Sequence, residues 1–284
     1  MVQWEGDTEG MGGEEWMECV EDADVVVNLC GKPIVSRWNE EGKKKLVSSR
    51  ISCTRKLVKQ FEKSLKGGSG GSGSGGSGSG SGSERRRKKV FVSTSAVGYY
   101  GTSEKSEFDE SSEKGRDFLA DLCQQWEDSV LQESSSGADV RKVILRFGVV
   151  LGKDGGALAQ MLPAFKFFLG GPVMPGTQWV SWIHVDDLVK AIRTVIEDEK
   201  YQGVYNATAP NPVTMNEMSS SLGKALKRPN LFPVPSFVLQ LLYGQGSQVV
   251  TEGQRVLPKR FKDQGFKFDY ETIDDAMRAI AKQV

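Results

Sequence analysis

The sequence predicts an α/β protein with a doubly wound, Rossmann-type parallel sheet and a small helical cap at the carboxyl end. Short apolar or β-branched runs recur at 23–29, 90–94 and 142–150. The segments that follow them place apolar residues at three- and four-residue steps, as amphipathic helices do. Buried strands that alternate with such helices are typical of a parallel sheet with helices on its faces.

The first strand and helix of this pattern are predicted on either side of Gly31. The run ADVVVNL at 23–29 is typical of a buried parallel strand. Arg50 lies at the edge of the apolar stripe of the next helix, where an unpaired guanidinium is costly to bury, so we expect a carboxylate or a ligand phosphate as its partner. The stripe itself is predicted to comprise Leu46, Val47, Ile51, Thr54, Leu57, Val58, Phe61 and Leu65.

Residues 67–83 consist only of Gly and Ser. Such a composition cannot bury a core, and it predicts a disordered, flexible coil. The α/β rhythm continues on both sides, so this segment is interpreted as an insert within one domain. The basic run ERRRKK at 84–89 is interpreted as a solvated approach to the next strand, in preference to a nucleic-acid or targeting patch.

After the insert, a strand at 90–94 is followed by a loop at 95–101, a helix at about 117–131 and a strand at 142–150. Further helices are predicted at 158–169 and 186–196. The remainder holds several prolines and is expected to form two short helices. We therefore expect an α/β domain at 1–210 and a separate cap at 211–284.

Composition argues against several classes of partner. Lys plus Arg and Asp plus Glu number 37 each, so the chain has no net charge to attract nucleic acid. No apolar run approaches the roughly 20 residues of a membrane-spanning helix. The cysteines lack C-x-x-C spacing and the chain has one histidine, so no metal site is expected and the thiols are predicted to be reduced. A small molecule or a protein remains as partner.

Several motifs occur together in one order: VVVNLCG at 25–31, STSAVGYYG at 93–101, DFLADLCQQWE at 117–127, LRFGVVLG at 145–152 and WIHVDD at 182–187. With the tail segments PVPSFVLQLLYG and EGQRVLP, they resemble the atypical, epimerase-like branch of the extended short-chain dehydrogenase/reductases. That family includes a plant protein implicated in plastid division. The resemblance covers nearly all of the chain outside the Gly/Ser insert.

The resemblance implies an incomplete Rossmann domain at 1–210 that binds NADP, with NAD as the other choice, and a cap on the substrate side at 211–284. It implies cofactor contacts at the end of the first strand, on the helix that follows, and after the strand at 142–150. The residues at these positions are Asn28, Leu29, Lys45, Arg50 and Val150. Other interpretations stay open: strand termination for Asn28 and Leu29, a surface salt bridge for Lys45, and core packing for Val150.

The sequence departs from the family at its cofactor loop. Family members open with a strand, a G-x-x-G-x-x-G turn and a helix, and none of these three, nor the second strand, is recognisable here. Gly10, Gly12 and Gly13 are surrounded by acidic residues, which would repel a pyrophosphate, so an acidic loop is the favoured interpretation. We expect weak or no NADP binding by this chain and an amino-terminal truncation, with a misplaced gene start as one origin.

A second departure concerns catalysis. The superfamily's proton relay is a Tyr followed four residues later by a Lys that lowers its pKa, and the helix at 117–127 contains neither. Ser95 and Tyr99 in the preceding loop are the candidate catalytic residues, although aromatic packing also explains Tyr99. His184, next to two aspartates, is interpreted as structural.

Two functions follow from these residues. One is an NADP(H)-dependent epimerase or oxidoreductase that acts on a nucleotide-linked or other small polar substrate. The other is a non-catalytic relative that binds a protein partner or a second copy, with plastid division as the implied process. The compartment, cytoplasm or plastid, stays open.

Overall fold

The computed structural model describes residues 15–66, 89–132 and 140–284. The predicted coil at 67–83 and the acidic loop with Gly10, Gly12 and Gly13 lie outside the described residues. The strands are β1 Val25–Asn28, β2 Lys89–Ala96, β3 Glu107–Phe108, β4 Val140–Phe147, β5 Val149–Leu151, β6 Trp179–Val180, β7 Trp182–His184, β8 Gly203–Ala207, β9 Val213–Thr214 and β10 Arg255–Val256. The helices are α1 Glu15–Asp22, α2 Glu40–Lys66, α3 Phe118–Leu131, α4 Gly156–Lys166, α5 Val185–Glu197, α6 Met215–Leu226, α7 Ser236–Tyr243, α8 Gln248–Thr251, α9 Lys259–Asp263 and α10 Ile273–Ala281.

The centre of the fold is a parallel sheet of order β1-β2-β4-β8, which confirms the predicted α/β class. Its register aligns Ser95 of β2 with Arg146 of β4, and Arg146 with Asn206 of β8. Aligned residues on adjacent parallel strands point to the same face of a sheet. These three polar side chains therefore lie side by side near the carboxyl ends of their strands.

Helices cover both faces of the sheet. On one face, Phe91 and Ile144 pack with Val58 and Phe61 of α2 and with Val130 of α3. On the other, the alternate strand residues pack with α5 and with phenylalanines from the carboxyl-terminal segment. This second core includes Val92, Val143, Leu145, Leu188, Val195, Phe261 and Phe266. Two apolar faces are what the nearly continuous apolar runs of the strands predict.

The predicted buried stripe of α2 is confirmed for Leu46, Ile51, Thr54, Val58 and Phe61, which are all buried. Asp117, at the predicted start of the next helix, caps α3, because its carboxylate accepts the backbone N–H of Ala120 at 2.8 Å.

The strand predicted at 142–150 is divided in the structure, so that prediction was wrong. β4 ends at Phe147, and β5 pairs with β7 outside the four-stranded sheet. Gly148 lies at the break, where a Cβ atom would be 2.5 Å from the carbonyl oxygen of Ser181. Only glycine allows the chain to leave one sheet and meet β7 so closely.

The carboxyl-terminal segment also differs from expectation, because five helices, α6 to α10, replace the two predicted. Two of them, α8 and α9, have only four and five residues, too few for a helical period to be recognised in sequence. The segment shares a core with earlier elements, since Leu158 and Trp182 pack with Met218, Leu222 and Met277. The domain boundary at 210 stays a prediction. Among the described helices, none is long and apolar enough to cross a membrane.

His184 caps the start of α5, which agrees with its structural interpretation. Its Nδ1 accepts the backbone N–H of Asp186 at 3.1 Å, and its ring stacks on Tyr270 with centroids 3.9 Å apart. Burial lowers the pKa of His184, while the carboxylates of Asp186 and Asp187 oppose that change.

We expect the pKa of His184, the only histidine of the chain, to lie below its ordinary value of about 6.5. A single imidazole signal followed by NMR against pH needs no assignment by mutation. The same titration of the urea-unfolded chain is the control and should return the ordinary value. A folded-state pKa at or above the unfolded one would contradict the assigned environment.

Candidate functional site

The strands of a parallel sheet end at one edge, and ligands of open α/β folds bind outside it. Asn28, the last residue of β1, is buried there. Its Nδ2 donates to Thr54 Oγ1 at 2.8 Å and to Ser93 Oγ at 3.4 Å, and its Oδ1 accepts the N–H of Cys30 at 3.2 Å. Leu29, the next residue, is 59% exposed. Asn28 therefore fixes the strand end to α2, and Leu29 presents an apolar side chain at the edge.

Arg50 is buried at this edge, with 9% of the residue exposed. The expected carboxylate is not its partner: Nη1 donates to the carbonyl of Leu46 at 3.2 Å and Nη2 to that of Lys32 at 2.8 Å. The guanidinium carbon also lies 5.3 Å from the ring centroid of Trp126, and burial lowers the pKa of Arg50. A Cβ atom at Gly31 would be 3.1 Å from that carbon, so Gly31 lets the loop after β1 pack directly on the guanidinium.

The other two predicted cofactor residues lie in different surroundings. Lys45 is exposed and pairs with Glu41 of the preceding helical turn at 2.5 Å. Val150 is half-buried in β5 and packs against the core on the α5 face of the sheet. The structure therefore agrees with the second interpretation of each residue, which was a surface salt bridge for Lys45 and core packing for Val150. A cofactor contact stays a prediction for both.

Ser95 belongs to a buried polar network that spans three strands and α3. Its Oγ donates to Glu127 Oε1 at 2.7 Å. Glu127 also accepts two hydrogen bonds from Arg146, at 2.8 Å from Nε and 2.7 Å from Nη2. Arg146 Nη1 donates to the hydroxyl of Tyr100 at 2.9 Å, which in turn donates to Asn206 Oδ1 at 2.7 Å. Because its charges are paired at short distance, the network can stay buried.

Tyr99 lies at the surface of this network. The guanidinium carbon of Arg146 is 3.4 Å from the centroid of its ring, a close cation–π contact. Its ring also meets that of Tyr100 edge to face at 5.4 Å. Burial raises the pKa of Tyr100 to about 12, so Tyr100 stays protonated at neutral pH. Within the described part of the chain, the Tyr99 hydroxyl is assigned no hydrogen-bond partner, which leaves it available to a ligand.

The face of α3 that meets the 3-10 helix Val97–Tyr100 is apolar. A Cβ atom at Gly98 would lie 3.4 Å from Leu119 Cβ and 3.9 Å from Cys123 Sγ. Burial raises the pKa of the Cys123 thiol to about 12. As the sequence indicates, α3 offers no Tyr and Lys pair to move a proton at this loop.

Sequence reasoning missed Glu127, Arg146 and Asn206. A signal was present for two of them, since an arginine inside the apolar strand VILRF requires a buried carboxylate. Asn206 gives no such signal, because its partners come from a distant loop. Its backbone N–H donates to Glu110 at 2.9 Å. Within the described ranges, no group of His, Cys, Asp and Glu side chains could hold a metal ion.

We expect Glu127→Ala to lower the free energy of unfolding by about 3–5 kcal/mol, because it leaves the buried Arg146 guanidinium without its charge partner. Asp121→Ala on the same helix is the matched control. Asp121 pairs with Lys114 at the surface, and its loss should cost less than about 1 kcal/mol. Urea denaturation measures the free energy of unfolding of both variants. Equal losses of stability would mean that the buried pair stabilises the fold no more than the surface pair does.

Comparison with known proteins places this geometry in a family. Residues 11–208 match the NAD dependent epimerase/dehydratase family, and residues 234–280 match a domain of unknown function, DUF1731. Epimerase family protein SDR39U1 homolog, chloroplastic, of Arabidopsis thaliana is 48% identical over 266 residues, which cover 94% of this chain and 71% of that protein. Epimerase family protein YfhF of Bacillus subtilis is 36% identical over 280 residues, or 98% of this chain and 83% of that protein.

A solved structure agrees with these sequence matches. The crystal structure of human epimerase family protein SDR39U1 with NADPH superposes with a TM-score of 0.80 at 31% identity, covering 95% of this chain and 86% of that one. The parallel sheet, the helices on its two faces and the carboxyl-terminal segment are thus features that the chain shares with proteins identified by sequence as its relatives. The chain belongs to the NAD dependent epimerase/dehydratase family, with a DUF1731 domain at its carboxyl end.

Proposed function

We propose that this protein is an NADP(H)-binding epimerase or oxidoreductase that acts on a hydroxyl or carbonyl group of a nucleotide-linked or other small polar substrate. The observation that carries the proposal is the Tyr99 hydroxyl at the carboxyl edge of the sheet, with its ring held by Arg146. Family membership and the NADPH of the human relative's structure support the choice of cofactor.

The residues at the sheet edge fit a dinucleotide in part. Leu29 offers an exposed apolar contact, and Val150 could line the nicotinamide side. Two of the five guanidinium N–H donors of Arg50 are used by backbone carbonyls, so others can meet a phosphate oxygen. Lys45, exposed on α2, would add a second positive charge. Asn28 would act indirectly, by holding the strand end in place.

When bound, NADPH would supply a hydride from its nicotinamide ring, and the oxidised form NADP⁺ would accept one in the reverse direction. The chain's own contribution would come from Tyr99, whose hydroxyl would donate a proton to the substrate oxygen in reduction and recover it in oxidation. Ser95 is 2% exposed and its hydroxyl proton points to Glu127, so it must rotate away to meet a substrate oxygen. We therefore place Tyr99 in contact with substrate and Ser95 as the second donor.

The pyrophosphate is the difficult part of the cofactor. Backbone N–H groups of a Gly-rich turn and a helix amino end normally meet its two charges, and one arginine does not replace them. Since the sequence shows no G-x-x-G-x-x-G turn outside the Gly/Ser run, and none between a strand and a helix, we propose that this 284-residue chain binds NADP weakly. Cytoplasm and plastid were both left open as the compartment. The Arabidopsis relative is named as chloroplastic, which supports the plastid.

A protein-binding role without catalysis is the second candidate. The observation that favours it is the apolar contact of Leu119 and Cys123 with Gly98, where the superfamily's relay would require protonable side chains. A partner protein or a second copy stays a prediction. Turnover in the activity test below would exclude a purely binding role.

The cofactor proposal is tested by titrating NADPH fluorescence with two proteins. One is the 284-residue chain, and the other carries, at its amino end, a strand and G-x-x-G-x-x-G turn of the family type. We expect weak binding by the first and recovered binding by the second, because only the second supplies the N–H groups for the pyrophosphate. Tight binding by the unextended chain would refute this proposal.

In the extended protein, Arg50→Ala should weaken NADPH binding by about 1.5–3 kcal/mol if the guanidinium meets a phosphate. Lys45→Ala is the matched control on the same helix. It should cost less, since its ammonium is exposed and already paired with Glu41. A thermal melt of each variant, followed by circular dichroism, shows whether weaker NADPH binding comes from a lost contact or from a loss of folding. An unchanged NADPH affinity in the Arg50 variant would refute the contact between Arg50 and a phosphate.

The catalytic proposal is tested with the NADPH-binding form and a panel of nucleotide sugars and small carbonyl compounds, by following NADPH absorbance and product formation. Tyr99→Phe should lower kcat by about 100-fold or more, since the phenyl ring has no proton to transfer. Ser95→Ala should lower it as well, and Tyr201→Phe, just before β8 at the opposite end of the sheet, should leave it unchanged. Full activity in both loop variants would make the loop structural.

A further inference from the structure

Two of the four cysteines meet beside the carboxyl end of β1. Cys30 follows that strand and Cys53 lies in α2, and each side chain shifts the pKa of the other, as neighbouring thiols do. Neither belongs to the polar network at Tyr99. The proposed function uses neither thiol.

The contacts on both sides of this pair fix how the two segments run. Asn28 Nδ2 donates to Thr54 Oγ1 at 2.8 Å, and Arg50 Nη2 donates to the carbonyl of Lys32 at 2.8 Å. The backbone N–H of Lys32 also donates to Ser49 Oγ at 3.3 Å. Residues 28–32 therefore pass along α2 from position 54 back to position 49, and this path places residue 30 opposite the turn that contains residue 53.

The two thiols differ in accessibility. Cys30 is half-buried, whereas Cys53 is 2% exposed. The neighbouring Cys53 side chain lowers the pKa of Cys30, while Cys30 and burial raise the pKa of Cys53. A more exposed thiol with a lowered pKa beside a buried partner is the arrangement of an attacking and a resolving cysteine.

We propose that Cys30 and Cys53 form a redox-active pair that closes reversibly into an intramolecular disulfide by exchange with a small-molecule disulfide. The reaction consumes one external disulfide and two protein thiols, and it yields one protein disulfide and two small thiols. It needs no metal or cofactor. The resulting bond would tie the loop after β1 to α2.

The exchange proceeds in two displacements. The Cys30 thiolate attacks one sulfur of the external disulfide, whose S–S bond breaks as the first small thiolate leaves. The Cys53 thiol then loses its proton to solvent, and its sulfur attacks the Cys30 sulfur of the mixed disulfide. A second small thiolate leaves, the Cys30–Cys53 bond forms, and both thiolates take protons from water.

The other cysteines serve as internal controls. Cys19 is exposed on α1, so it reports whether the oxidant reaches surface thiols. Cys123 is buried against Gly98, and burial raises its pKa, so it should stay reduced in the folded chain. The reaction of Cys30 and Cys53 with the oxidant can therefore be compared with that of Cys19 and Cys123 in the same protein sample.

The test incubates the reduced 284-residue chain with mixtures of oxidised and reduced glutathione, followed by acid quench, alkylation, proteolysis and mass spectrometry. We expect a peptide linked through Cys30 and Cys53, with a mass two hydrogen atoms below the sum of the two reduced peptides, and full reversal by dithiothreitol. Cys19 should carry glutathione, and Cys123 should react with the alkylating agent only after unfolding.

Variants separate the two roles. Cys53→Ala should accumulate glutathione on Cys30, because nothing resolves the mixed disulfide. It should also slow alkylation of Cys30 at pH 7 several-fold, since the neighbouring side chain that lowers the pKa of Cys30 is lost. Cys30→Ala should leave Cys53 unmodified in the folded chain.

Three results would overturn the proposal: no linked peptide at any glutathione ratio that modifies Cys19, a mixed disulfide at Cys30 that persists in the wild-type chain, or a link only between two molecules. Peptide mapping of the wild-type chain decides each of them, even where a variant fails to fold. None of these readouts depends on NADPH binding, so the outcome is independent of the proposed function.

Discussion

The buried pair of Arg146 and Glu127 is the interaction on which the carboxyl edge of the sheet depends. Arg146 enters the fold near the end of an apolar strand, and its charge cannot stay there unpaired. Glu127 meets it with both carboxylate oxygens, and this contact fixes α3 against β4. Ser95 and Tyr100 then arrange their hydroxyls around the pair.

The same cation also reaches the surface of the site. Its guanidinium carbon lies over the ring of Tyr99, so a charge required for folding also holds that ring in place. Superfamily enzymes place a lysine on the helix for a related purpose. Here that helix packs Leu119 and Cys123 on Gly98, and the positive charge comes from β4. Under the proposed function, Arg146 would supply from β4 the positive charge that those enzymes place on the helix.

A second set of contacts secures the loop after β1. Asn28 binds Thr54, Gly31 packs on the guanidinium of Arg50, and Arg50 holds the carbonyl of Lys32. Arg50, which the family resemblance assigns to a cofactor phosphate, therefore also holds the loop after β1 on α2. Its removal would disturb the loop as well as the charge, which is why the Arg50 variant requires a separate measurement of folding. Cys30 and Cys53 face each other because these contacts align the two segments.

The α/β class, the strands β1 and β2 and much of the buried stripe of α2 could be predicted from sequence, because the spacing of apolar residues is a local property of the chain. The identities of Asn28, Ser95 and Tyr99 as residues of one edge followed from the rule that parallel strands end together. The break at Gly148 could not be predicted, because it depends on close approach to Ser181. The helices α8 and α9 could not be predicted, because four and five residues are too few to show a helical period. The partners of Arg50, Arg146 and Cys30 were likewise decided by tertiary structure alone. The sequence shows which side chains are charged or carry a thiol. Their partners come from distant segments of the chain, which only folding brings into contact.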